Sequence, residues 1–317
     1  MTARVFIDGD AGTTGLQIRE RLAGRRDIVL AAIEPAQRKD PAARRRHLNE
    51  ADVAILCLPD DAARDAVAMI ENPETRVIDA SSAHRTAAGW TYGFAEMAPG
   101  QAEAIAAAGR VANPGCYPQG LIALVRPLVE AGLVPADFPL TYNAVSGYSG
   151  GGRKMIEDYE RVENPIVAPY LPYGLTFRHK HLPEMTRYAG LGHDPVFQPA
   201  VGRYAQGMLG AVPLPLWALP GAPRGADLHA VLAKRYAGER FVEVMPLAAA
   251  ERLPELDPQT LNGTNAMRLY VFANDDRRQA VLAALYDNLG KGAAGAAVQN
   301  LNLMLGADAA TGLAEAA

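Results

Sequence analysis

The chain has 317 residues, 49% of them hydrophobic and 21% charged, with a net charge of -4, the profile of a globular protein too long for a single core and therefore expected to form two domains. Without a basic field, nucleic-acid binding is excluded as its main business. No apolar run reaches bilayer-spanning length, no charged and apolar leader precedes Arg4-Val5-Phe6-Ile7-Asp8, and two cysteines make no disulfide framework, so the expected setting is the cytoplasm, away from membranes.

Residues 4 to 115 alternate strand and helix patterns, with strands near 4–8, 28–33, 53–58, 76–80 and 110–113. Such alternation predicts a Rossmann-type parallel sheet that binds ligands along its carboxyl edge. From about Pro139 the pattern changes to longer strands, such as 207–218, 241–247 and 267–273, which predict a mixed sheet. Helices are expected over 276–289 and 292–305, the second apolar on more than one side and packed back onto the first domain. The fold class is therefore α/β, a Rossmann-type domain over 1–117 completed by about 286–317, with an α+β catalytic and oligomerisation domain over 118–285. The alanine-rich tail 307–317 reads as frayed.

Gly9-Asp10-Ala11-Gly12-Thr13-Thr14-Gly15 joins the first strand to the first helix. Glycines there allow positive φ and close approach of a pyrophosphate, whose charge the helix start stabilises, so Gly9, Gly12, Thr13, Thr14 and Gly15 are candidate nucleotide contacts. Glu34 ends the second strand, where an acid would accept the ribose hydroxyls of NAD. Arg38 and Lys39 follow it, with Arg44, Arg45 and Arg46 beyond, and these cations favour the 2′-phosphate of NADP.

Cys57 lies in the apolar run Val53-Ala54-Ile55-Leu56-Cys57-Leu58 and reads as packing. Cys116 differs. It lies in Asn113-Pro114-Gly115-Cys116-Tyr117-Pro118, between a strand end and a helix expected over 118–131, where helix-start N–H groups favour a thiolate. Ser81, Ser82 and Arg85 follow the fourth strand and can hold an anion. Ser146-Gly147-Tyr148-Ser149-Gly150-Gly151-Gly152-Arg153-Lys154 puts hydroxyls, amides and two cations before a helix, a second anion-binding pattern. In His179-Lys180-His181-Leu182-Pro183-Glu184 a histidine can exchange protons, with Glu184 to orient it. No third ligand of suitable spacing follows, so no metal is expected.

Together these segments, with Leu261-Asn262-Gly263-Thr264-Asn265 and Asp287 to Leu305, resemble the N-acetyl-γ-glutamyl-phosphate reductases, specifically their shorter, second type, over nearly the whole chain. The resemblance implies reductive dephosphorylation of N-acetyl-glutamyl 5-phosphate in arginine biosynthesis, with NADP as cofactor and Cys116 as the nucleophile that carries a thioester. It makes His179 the first choice for proton transfer, Glu184 its partner and His181 the second choice. It brings the C-terminal helix, with Asn300, to the cofactor together with Ser81 and Ser82. Arg85, Asn113, Ser146, Ser149, Gly150, Arg153 and Lys154 become candidate contacts to the substrate and its phosphate. Arg203 and Gln206 align ambiguously and stay off this set. A homodimer or homotetramer is expected. The alternatives are a reductase of another acyl phosphate, similar to aspartate semialdehyde dehydrogenase, and an NADP-binding redox sensor without turnover.

Overall fold

In the computed structural model, which describes residues 2–315, short apolar runs, most of them followed by a helix, build the first sheet. It belongs to a compact unit of residues 2–95, 99–115 and 293–313. Its elements are β1 (Ala3–Asp8), α1 (Thr13–Leu22), β2 (Ile28–Ala31), α2 (Pro41–Glu50), β3 (Val53–Leu56), α3 (Asp60–Ala68), β4 (Arg76–Asp79), β5 (Thr91–Tyr92), α4 (Gln101–Ala107) and β6 (Arg110–Ala112). All pairings are parallel, in the order β2-β1-β3-β4-β6-β5. Every residue of β3 is buried, as a central strand covered on both faces requires. Val5, Ile7, Ile18 and Ile55 pack on one face with Val298 and Leu301 of the helix Gly295–Met304; Phe6, Leu48, Leu56 and Val77 pack on the other. The strand order reverses beside β1, so the loop after β1 opens at the switch point where such sheets bind ligands.

The second unit comprises residues 96–98, 116–292 and 314–315. It contains α5 (Cys116–Glu130), β7 (Thr141–Gly147), α6 (Gly152–Glu160), β8 (Tyr170–Pro172), α7 (Leu182–Ala189), β9 (Val196–Gly202), β10 (Met208–Pro215), α8 (Gly225–Arg235), β11 (Val242–Val244), α9 (Leu247–Ala250), β12 (Met267–Asn274) and β13 (Gln279–Tyr286). The sheet order is β11-β12-β13-β10-β7-β9-β8. Parallel pairings β7–β9 and β11–β12 make it mixed. The last helix of the chain is α10 (Gly295–Met304).

Residues 276–289, expected to be helical, are instead mostly β13. Gln279-Ala280-Val281-Leu282-Ala283-Ala284-Leu285-Tyr286 carries helix formers, but eight-residue ladders to β10 and β12 on either side outweigh that preference. The tail also differs from expectation. Buried Asn302 donates to the carbonyls of Ala309 and Thr311, Asn265 N–H to Ala314, and Arg240 pairs with Glu315 at 2.6 Å. Ala316 and Ala317 lie outside the described residues.

The central helix of the second unit is α5, buried along most of its length. Pro127 has no N–H for the carbonyl of Ala123, and the Tyr236 hydroxyl donates to that oxygen instead, at 2.9 Å. At the other end, the Tyr286 hydroxyl accepts from Gly120 N–H at 3.2 Å and donates to the Cys116 carbonyl at 2.6 Å. The Tyr142 hydroxyl donates to the Tyr117 carbonyl at 3.1 Å. Gly120 makes room for both phenols, since a Cβ there would lie 2.7 Å from the Tyr142 oxygen and 2.8 Å from that of Tyr286. Gly120→Ala is expected to destabilise the protein by about 1–3 kcal/mol through overpacking. Urea denaturation measures this, and an unchanged midpoint would contradict the tight fit.

Candidate active site

Cys116 is the first residue of α5, half-buried, with its carbonyl held by Tyr286. Tyr117 follows it, and this ring touches both histidines of the HxH segment, at 6.1 Å from His179 and 5.9 Å from His181 between centroids. The two imidazoles are 4.6 Å apart. Phe197 closes on His179 edge-on at 5.1 Å, and Tyr173 lies 5.7 Å away. The fold therefore gathers Cys116, His179 and His181 around one aromatic cluster. His181 N–H donates to Nδ1 of His179 at 3.2 Å, which makes Nδ1 the acceptor and leaves the proton of the neutral ring on Nε2. Glu184 is buried in the first turn of α7, where a carboxylate suits the helix dipole.

Tyrosines surround this centre, and burial keeps them protonated. It pushes Tyr173 up to about 12, partly offset by its hydrogen bond with Tyr117 and reinforced by negative charge on Cys116. Tyr142 and Tyr286 are raised by the same desolvation, with Cys116 again adding to the rise. They remain hydroxyl donors throughout the working pH range.

The glycine-rich loop after β1 is shaped by close contacts. A Cβ on Gly9 (φ +91°) would lie 2.3 Å from the Cys57 carbonyl oxygen, and one on Gly15 would lie 2.4 Å from that of Gly9. Gly12 is the N-cap of α1 and no side chain caps the helix, so the start at Thr13 and Thr14 suits an external anion. Beside it a cleft of about 290 Å³ is lined by Asp8, Gly9, Asp10, Arg38, Lys39 and Arg44, among others. Arg38 reaches Asp10 at 3.2 Å and Arg44 reaches Asp8 at 2.8 Å. Glu34 is exposed at the start of a short turn and does not line this cleft.

Sequence models of the semialdehyde dehydrogenase NAD binding domain and dimerisation domain match residues 15–106 and 116–288. The N-acetyl-gamma-glutamyl-phosphate reductase of Chelativorans sp. (strain BNC1) is 63% identical over 307 residues, covering 96% of this chain and 99% of that protein. That of Mesorhizobium japonicum is 60% identical over 308 residues, covering 96% and 100%. The chain belongs to the N-acetyl-gamma-glutamyl-phosphate reductase family. Among solved structures, aspartate semialdehyde dehydrogenase II of Vibrio cholerae shares the fold with a TM-score of 0.70 at 16% identity, covering 96% of this chain and 98% of that one. The aspartate semialdehyde dehydrogenase of Candida albicans, solved with NADP, superposes with a TM-score of 0.64 at 13% identity over 96% and 99%. The α/β fold and the nicotinamide-binding domain expected from sequence are those of this family. No helix among the described residues is long and apolar enough to cross a membrane.

Several candidate contacts of the reductase family sit differently from expectation. Asn113 is buried with its amide already used: Nδ2 donates to Ala293 and Oδ1 accepts from Asn300, so it fastens the C-terminal segment. Ser81 and Ser82 donate to Asp79 and Asp60, at 2.7 and 2.8 Å, which shapes the loop after β4. Buried Arg85 donates to the carbonyls of Asn113 and Ala80, tying the strand ends together. The amides of Gly147, Tyr148 and Ser149 are taken by carbonyls of Gly207, Tyr204 and Ala205. The buried Ser146 hydroxyl donates to the Gly147 carbonyl at 3.1 Å, while the buried Ser149 hydroxyl accepts from Asn288 and keeps its own proton to donate; Gly150 is exposed, and its missing side chain leaves space at Ser146. Arg153 is exposed and pairs with Glu157 one turn on, and Lys154 is exposed beside it.

Sequence reasoning missed a polar network around Asp287 and Asn288. The buried Asp287 carboxylate accepts from Gly263 N–H, Leu289 N–H and the Gln206 amide, while Asn288 joins Gly207 N–H to the Ser149 hydroxyl. The family segments Leu261 to Asn265 and Asp287 onward held that signal, without a partner to explain it. Arg203 is exposed.

Burial, helped by the charges of Asp79 and Asp8, pushes the Cys57 thiol up to about 12, so it stays protonated at pH 8. Iodoacetamide at that pH is expected to label Cys116 and spare Cys57. Peptide mapping of the alkylated protein decides it, and equal labelling would contradict the separation.

Proposed function

We propose that this chain reduces N-acetyl-γ-glutamyl phosphate to the 5-semialdehyde with release of phosphate, using Cys116 as nucleophile and NADPH as reductant. The supporting observation is the position of Cys116 at the start of α5, next to Tyr117, whose ring packs on both His179 and His181, in a chain whose relatives carry that enzyme's name.

Cys116 attacks the acyl carbon, its sulfur forming a bond as the phosphate oxygen leaves, and holds the acyl group as a thioester. Phosphate needs little help to leave, so the side chains chiefly orient the substrate and stabilise the oxyanion. His179 donates from Nε2 toward that oxygen, a role suited to the tautomer set by the His181 amide. Glu184 and His181 hold this ring in place. Ser149 donates to the phosphate from a hydroxyl that Asn288 orients. Arg153 and Lys154 act at longer range, drawing a substrate with two anionic ends toward the protein. After reduction, the carbon–sulfur bond of the thiohemiacetal breaks, which frees the aldehyde and returns the Cys116 thiolate.

A bound nicotinamide supplies the hydride for that reduction. The residues suit such a group: the first turn of α1 takes the pyrophosphate, and Asn300 has a buried Oδ1 with no protein partner, an acceptor that a carboxamide donor satisfies. Arg38 and Lys39, which line the cleft where Glu34 does not, support NADP over NAD. A second copy of the chain docks through the second unit, where a groove of about 550 Å³ along β10, β12 and β13 is lined by Pro213, Pro215, Phe272 and Val281, among others. The cytoplasm, where NADPH is regenerated, is the compartment that fits this chemistry.

Phosphate-dependent reduction of NADP by N-acetylglutamate semialdehyde tests the activity. Cys116→Ser is expected to lower turnover at least about a thousandfold while NADP binding persists, and turnover near wild type would sink the mechanism. Replacing Arg38 and Lys39 by alanine should raise KM for NADPH by about tenfold or more and leave that for NADH nearly unchanged. Equal effects on the two cofactors would remove the 2′-phosphate role.

A further inference from the structure

One buried ion pair lies next to this centre and takes no part in the chemistry above. Lys291 and Glu96 are both almost fully buried, with Nζ 2.7 Å from each carboxylate oxygen. The ammonium also stands 5.5 Å from the Phe241 ring centre, a cation–π contact. Desolvation pushes the lysine down, and Glu96 opposes that shift. A buried pair of this kind adds little net stability compared with apolar side chains of similar volume, so its presence invites a positional explanation.

The local geometry supplies one. Lys291 lies in the π-helical turn Gly290–Ala294, a form frequent at functional sites. The next residue, Gly292, sits against the nucleophile: a Cβ there would lie 3.1 Å from the Cys116 Cβ. Gly290 is equally confined, since a Cβ would lie 2.0 Å from the Thr264 carbonyl oxygen. Residue 291 is fastened twice. Its side chain holds Glu96, and its carbonyl accepts from the Gln119 amide at 2.8 Å. Gln119 is on α5, one turn after Cys116, fully buried, and its Oε1 has no hydrogen-bond partner. An unsatisfied buried acceptor is unfavourable, so the orientation of Gln119 is set by its bond to the turn.

We propose that Glu96, Lys291 and Gln119 are positioning residues that clamp the Gly290–Ala294 turn against Cys116 and keep the sulfur in one attack geometry. The inference rests on Cys116 being the nucleophile. Displacing the turn gives the cysteine other rotamers and slows the chemical step without changing how substrates bind.

Two variants test it: Glu96→Leu/Lys291→Met, which replaces the pair by apolar groups, and Gln119→Leu, which releases only the backbone clamp. In each, kcat is expected to fall by about 10- to 100-fold, with KM for both NADPH and the acyl phosphate within about twofold of wild type. The rate of Cys116 alkylation by iodoacetamide should change alongside kcat. Wild-type kcat and alkylation rate in Gln119→Leu would overturn the proposal, and so would a loss confined to KM or to thermal stability. Full activity of the wild-type protein after stoichiometric alkylation of Cys116 would instead overturn the nucleophile assignment, which separates the two failures.

Discussion

The first turn of α5 depends on a phenol. Tyr286, at the end of β13, places its hydroxyl between Gly120 N–H and the Cys116 carbonyl, while Tyr142 from β7 holds the next carbonyl. Both rings are fully buried, so neither can leave its hydrogen bonds without stranding a polar group away from water. A helix start would ordinarily fray; this one is held by the sheet beneath it. The glycines at 120 and 210 follow from the same constraint, because each leaves space for the Tyr142 ring or its oxygen.

From that anchor the second unit is built outward by polar ties among loops. Asp287 gathers the Gly263 and Leu289 amides, and Asn288 joins Ser149 to Gly207, so the segment after β13 organises three other loops. Apart from Leu289, each partner is distant in sequence. The serine hydroxyls thus sit on a braced surface, whereas the charged residues at the start of α6 remain in solvent.

The cofactor unit uses similar physics with different groups. Close backbone approach at Gly9 and Gly15 fixes the loop, and acidic side chains take up donors nearby: Asp79 and Asp60 the serines, Asp8 and Asp10 the arginines. Arg38 is therefore prepaired with the Asp10 carboxylate. The C-terminal helix α10 belongs to this unit through Val298 and Leu301 and through the Asn300–Asn113 bond.

Much of this was legible in the chain itself. The alternation of strands and helices, the glycine loop, the setting of Cys116 and the HKHLPE segment are local patterns, and local geometry constrains them strongly enough to survive folding. The helix expected over 276–289 was not legible, because pairing with β10 and β12 is a long-range effect that residue preference does not contain. Nor was the division of labour among polar groups. Asn113, Ser81, Ser82 and Arg85 looked able to hold ligands, yet their donors are taken by neighbours up to 180 residues away along the chain. Sequence by itself determined the family and the chemistry that goes with it. Tertiary structure alone decided which polar groups pair with one another inside the fold, since those partners lie far apart in the chain and meet only on folding.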